Sequence, residues 1–152
     1  MPRHKQVSSL KSVSLGGVCD YVDRYSRGVV RTSYNISLRP EEGEKCAVQW
    51  VDSQVEWLQN HLFSHTAWYQ FQDLVDILIS WLSKAVLHSK AIFRRSNSPP
   101  ESFHQIHTLV RFVQLIIHPG VKSLDLSILP KMLRDALYKK LDRLTGLEHL
   151  RY

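Results

Sequence analysis

Chemistry would show first in the spacing of the histidines, cysteines, serines and carboxylates. His61 and His65 stand four residues apart, and His104 and His107 stand three apart. Either pair can face one side of a helix and offer two imidazoles to zinc. Leu62 follows His61, where a helical metalloprotease site has its glutamate base. Cys19 and Cys46 are too far apart to form a C-x-x-C ligand pair. Unpaired surface histidines are therefore expected, with no metal and no cofactor. There is no G-x-S-x-G elbow and no glycine-rich phosphate loop, so spacing assembles no nucleophile with its base. Asp73 and Asp76 share a helix face as solvated surface groups do. The four tryptophans fall in helical pattern and read as core anchors. The set as a whole points to a protein that is not an enzyme.

The chain has 152 residues, 43% of them apolar and 22% charged, which fits one globular unit with a real core. Two cysteines cannot build a disulfide framework, and residues 1–7 lack the apolar core of a signal peptide. A reduced, intracellular protein of the cytoplasm or nucleus is expected. The apolar run over 74–87 is broken by Asp76, Ser80, Ser83 and Lys84, too short and polar to span a bilayer. The net charge of +6 is spread out, with only residues 32–65 acidic on balance. A dedicated nucleic-acid binder more often carries a basic stripe interleaved with aromatics, so a basic nucleic-acid or acidic-surface binder is the alternative rather than the leading class.

The elements that must position these residues are mostly helical. Apolar residues recur at helical spacing over 8–25, with Gly28 as the candidate C-cap. A short strand fits the β-branched residues over 29–36, and 39–43 reads as a loop. A helix over 47–63 carries the stripe Val48, Val51, Val55, Leu58 and Leu62. The helix over 66–88 has an apolar face broad enough to be buried on several sides or to permit dimerisation; the oligomeric state stays open. The polar, proline-ended segment 94–100 is the best internal boundary. It divides a helical region, 1–98, from a C-terminal part, 99–152, that opens with a helix over 101–118.

The last 32 residues carry the one internal repeat. Val121-Lys-Ser-Leu124-Asp-Leu126 and Leu147-Glu-His-Leu150-Arg-Tyr152 share the form L-x-x-L-x-L at an offset of 26 residues, with a helical stripe from Leu133 to Leu144 between them. The segment resembles the leucine-rich repeat family over 121–152. Leu129 stands where that family has Asn or Cys. The resemblance implies strand–helix–strand geometry, hence a mainly α fold: a helical N-terminal region packed against the start of an α/β leucine-rich-repeat solenoid. The same residues also fit a plain helix between two leucine-rich segments. Since the second repeat is cut short, three readings stay open: the N-terminal cap of a longer repeat protein, a truncated product, or a chain whose last strand pairs elsewhere and is stabilised by the helical part.

Ser14-Leu15-Gly-Gly-Val-Cys19 resembles the box by which substrate receptors of cullin-type ubiquitin ligases bind elongins B and C. That motif has a small residue and Leu, then Cys four residues on, then an aliphatic; here the aliphatic position falls on Asp23, with Val22 one place early. Leu15 and Cys19 are i,i+4 neighbours that would insert together into a partner. The resemblance implies an elongin B/C partner met by Leu15 and Cys19, with Leu10 and Val18 in support. The expected function is a non-enzymatic protein–protein interaction module at the start of a leucine-rich repeat protein, in its sharpest form a ligase substrate receptor.

Overall fold

The computed structural model describes residues 2–95, 97 and 99–151, with side chains from Leu15 onward except Pro99. Among them five helices and two short strands follow in the order α1 (Pro2–Ser37), α2 (Gly43–Ser64), α3 (Phe71–Arg95), α4 (Pro99–Arg111), β1 (Ser123–Asp125), α5 (Lys131–Tyr138) and β2 (His149–Arg151). Short 3-10 turns at Trp68–Gln70, Phe112–Ile116, Leu126–Ile128 and Leu141–Arg143 link them. The fold is mainly helical, and its β part is one strand–helix–strand unit. No helix among the described residues is long and apolar enough to cross a membrane.

α1 runs through both places where the sequence suggested a break. Gly28 is interior to the helix, and the strand expected over 29–36 is helical. Packing decides this. Val22, Ser26, Val29 and Ser33 are buried at helical spacing along one stripe, against α2, α3 and α4. A β-branched residue costs a helix at most about 0.7 kcal/mol, whereas burying a valine stabilises by roughly 1.5–3 kcal/mol. The serines on the stripe are satisfied locally: Ser26 and Ser33 donate to the carbonyls of Asp23 and Val30. α1 then turns into α2 through Glu42, whose φ of 49° is left-handed. At the next position a Cβ on Gly43 would lie 2.6 Å from the Ser37 carbonyl oxygen, so only glycine lets the two helix ends approach this closely.

One cluster of buried side chains runs from Val22 to Leu144. Phe112 is fully buried and meets the edge of Trp81 at 5.8 Å. Of the four tryptophans, Trp81 is buried and Trp50 packs against the cluster, as core anchors should. Trp57 and Trp68 are 50% and 80% exposed, which corrects the expectation for those two. Val48 likewise leaves the predicted stripe: Ala47, Val51, Val55, Leu58 and Leu62 face the core, and Val48 faces out.

The helix expected over 101–118 ends at Arg111 and tightens into 3-10 geometry. Its freed carbonyls are met from α2. Gln59, almost fully buried, donates through Nε2 to the carbonyls of Gln114 (2.8 Å), Leu115 (3.2 Å) and Ile117 (2.7 Å). Beyond this turn the internal repeat becomes strand register. β1 and β2 are parallel, with Ser123 opposite His149, Leu124 opposite Leu150 and Asp125 opposite Arg151. α5 crosses between them and buries Leu133 and Leu137 completely.

Two stability changes are expected. A Cβ on Gly28, exposed in the interior of α1, would meet nothing within 4 Å, so Gly28→Ala should raise stability by roughly 0.5–1 kcal/mol. Gln59→Leu strands carbonyls in the core and should lower it by roughly 1–3 kcal/mol. Both are read as shifts of the urea midpoint at unchanged slope.

Candidate functional site

A groove of about 520 Å³ lies where the end of α1, the start of α2 and the length of α4 meet. Each helix brings a different part. α2 supplies a buried floor, Ala47 and Val51. The rim is apolar and open: Leu38 is 64%, Val48 41% and Phe103 55% exposed. α4 supplies a polar wall of His104, His107, Thr108 and Arg111, with Glu44 contributed by α2.

Most of that polarity is spent inside the fold. Arg111 forks onto Asp52 through Nε (2.7 Å) and Nη2 (2.6 Å), which holds its guanidinium above the ordinary pKa. His104 Nε2 lies 2.7 Å from Ser33 Oγ and 3.2 Å from Thr108 Oγ1. Ser33 Oγ also lies 2.9 Å from the Val30 carbonyl, so its hydroxyl sits between that carbonyl and the imidazole. Ser33 is fully buried. Its hydroxyl is enclosed between α1 and α4, with no access to solvent. The edge-on ring of Tyr34, 5.4 Å away, completes the seat of His104. Burial, then the neighbouring His107, push the His104 pKa below its ordinary value, with Glu44 opposing.

The predicted histidine pairs do not converge on a ligand. His104 turns to Ser33, while His107 packs on the Phe103 ring at 4.2 Å. His61 and His65 lie 4.5 Å apart at the end of a run of rings that continues through Trp57 and Tyr25 to Tyr21. Among the described residues no group of three or more His, Cys, Asp or Glu is placed to hold a metal ion. Asp76 accepts from Gln72 Nε2.

The box-like residues lie on α1. The side chain of Leu10 is outside the described residues. Leu15 is half-buried, and Val18 and Cys19 pack against the core cluster. Cys19 shares a shallow depression with Asp23, Trp81 and Lys84, and burial raises its thiol pKa, with Lys84 pulling the other way. Asp23 accepts from Trp81 Nε1 (3.2 Å) and pairs with Arg27 (2.9 Å). The 19/23 side of α1 is thus engaged with α3.

The groove was missed in sequence because its parts are scattered. Leu38 precedes a loop, Val48 sat in a core stripe and Phe103 follows two prolines; only the α1–α2 reversal and the packing of α4 join them.

A pH dependence follows from two histidines. Burial also lowers the pKa of His118, which stacks on Phe63 at 4.0 Å and accepts the Gly120 N–H at Nδ1 (2.9 Å). Below pH 6.5, the ordinary value, the unfolded chain takes up protons that folded His104 and His118 refuse. Stability is therefore full above pH 6.5 and falls as pH drops toward the folded pKa values. Urea midpoints at pH 7.5 and 5.5 should show the loss, and His104→Gln with His118→Gln should flatten it. The chain matches no protein-family model, no curated protein and no solved structure.

Proposed function

We propose that this chain is a non-enzymatic protein–protein interaction module, and that the groove of α1, α2 and α4 receives the apolar anchor of a protein partner. The observation that carries this is the pairing of an exposed apolar rim with spent polarity. Leu38, Val48 and Phe103 stand open around a floor of Ala47 and Val51, while Arg111 and His104 are already bonded within the fold. A polar metabolite needs convergent free donors and acceptors. An aliphatic or aromatic side chain needs only apolar surface in a concave seat, and the groove has room for more than one. The strand–helix–strand unit at the other end of the chain supports a place at the start of a leucine-rich repeat array, whose members work by presenting surfaces to proteins.

The ligase form of this reading puts elongins B and C on α1. It asks Leu15 to lead the contact, since Cys19 faces α3.

Two experiments separate these levels. Proteins captured by the wild-type chain should be lost with Val48→Glu/Phe103→Glu, whose exposed positions leave the circular dichroism and melting temperature little changed. One such protein, purified, should then form a defined complex with the wild type on size exclusion. If no captured protein depends on residues 48 and 103, the groove reading fails. The ligase form predicts co-elution with an elongin B–elongin C pair and its loss in folded Leu15→Ser. A folded wild type that elutes apart from the pair overturns that form alone.

A further inference from the structure

The groove of α1, α2 and α4 has a direction. Asp52 is bonded to Arg111, and further along α2 Gln59 meets the carbonyls of Gln114, Leu115 and Ile117. α2 and the chain from α4 onward therefore run side by side in the same sense. At the opposite end of the groove stand Glu44 and His104, close enough for the carboxylate to act on the imidazole. On α2, Glu44, Val48 and Asp52 follow one another at four-residue spacing. Charge, apolar wall and ion pair thus succeed each other along about 12 Å of helix axis.

The two ends differ in charge. Of the Asp, Glu, Lys and Arg side chains among the described residues, only Glu44 and Arg111 line the groove. The fork of Arg111 onto Asp52 neutralises the guanidinium. Glu44 is exposed and makes no hydrogen bond or ion pair among the described residues. Its neighbourhood has the same sign. The chain as a whole carries +6, yet residues 32–65 are acidic on balance. Glu41, Glu42 and Glu44 are all exposed where α1 reverses into α2. Arg39 and Lys45 stand among them in sequence, and neither lines the groove.

We propose that the partner segment received here is an amphipathic helix with two apolar anchors one turn apart and, one turn beyond them, a lysine or arginine that meets Glu44. This inference rests on the reading of the groove as a protein-docking site and names the chemistry of what docks. A helix fits because both long walls are helices side by side, whose ridges leave a channel for the side chains of a third. Two anchors fit because Ala47, Val48 and Val51 fill the wall between Glu44 and Asp52, and residues at i and i+4 lie about 6 Å apart along a helix. The cation belongs at the Glu44 end, where it finds an unpaired carboxylate in an acidic neighbourhood. At the other end it would meet a guanidinium already bonded. An acidic segment would set its charge against Glu41, Glu42 and Glu44.

The test selects a displayed library of alanine-rich helical peptides on the intact chain. Apolar residues vary at positions i and i+4, and Lys, Arg, Glu or Gln vary one turn to either side. Winning peptides should be lost on Val48→Glu/Phe103→Glu and should be enriched in Lys or Arg on one side of the anchors. Selection on Glu44→Lys should enrich Glu at that position instead. For one winner made in solution, Glu44→Gln should weaken binding about two- to fivefold, and that loss should vanish when the peptide's cation is replaced by Gln. Circular dichroism and the melting temperature check that each variant stays folded. Winners that need residues 48 and 103 but show no preference for a cation, or the same preference on Glu44→Lys, overturn the proposal and leave the groove reading standing. A selection without any winner that depends on residues 48 and 103 also overturns it, and the groove reading then rests on the capture experiment alone. A wild-type dimer that Val48→Glu/Phe103→Glu dissociates would put a second copy in the groove and overturns it too.

Discussion

Between Arg111 and Ser123 the chain leaves α-helical for 3-10 and then irregular geometry while still inside the core, and the rest of the structure depends on how those backbone groups are satisfied. Phe112, Val113, Leu115, Ile116 and Ile117 are all buried, so water cannot serve their amides and carbonyls. Each unpaired group would cost about 1–3 kcal/mol. Two glutamines meet the need from two helices. Gln59 on α2 gathers three carbonyls at the exit of α4, and Gln72 on α3 gathers both amides and a carbonyl at the start of β1. His118 adds an acceptor for the Gly120 amide. Because α2 and α3 each hold one end of this segment, the position of β1 relative to the helices is fixed by directional bonds as well as by apolar packing.

Neither glutamine was legible in the sequence. A glutamine near an apolar stripe reads as a solvent-facing residue, and only the three-dimensional meeting of residue 59 with 114–117 shows otherwise. What was legible was periodicity. The stripes of α2 and α3 were readable because 3.6-residue spacing of large apolar groups is a local property. The 26-residue offset was readable for the same reason, and it reappears as the register of Leu124 against Leu150. Where local preference and tertiary burial disagree, the sequence misled. Residues 29–36 have strand-forming types and a glycine before them, yet the stripe Val22, Ser26, Val29 and Ser33 lies buried against three helices and keeps the segment helical. Trp57 and Trp68 show the converse: large apolar residues left half or more exposed, Trp57 stacked at the surface between Tyr25 and His61.

The candidate groove follows from the same contest. Its apolar rim is left over where the α1–α2 reversal, tightened by Gly43, brings Leu38 and Val48 to one side and α4 brings Phe103 to the other. Its polar wall looks reactive in sequence, with two histidines, a threonine and an arginine within eight residues of α4. Much of that polarity is taken up within the fold. Ser33 and His104 are bonded to each other inside the fold, Ser33 also reaches the Val30 carbonyl, and Arg111 is forked onto Asp52. The groove was partly visible in sequence as residue types and invisible as a surface, because its lining comes from three separated segments.

The strand–helix–strand unit leans on the helices more than they lean on it. Two strands of three residues each make too small a sheet to be stable alone, and α5 is only two turns long. Its stability comes from Val121, Leu124, Leu126, Leu133, Leu137 and Leu144, which enter the same core cluster as α2, α3 and α4. The helices therefore act as a template. They supply the covering layer for the first strand and seal its outer edge with Gln72. A parallel sheet started in this way can be extended in one direction only, and that direction is set by which helix carries the glutamine.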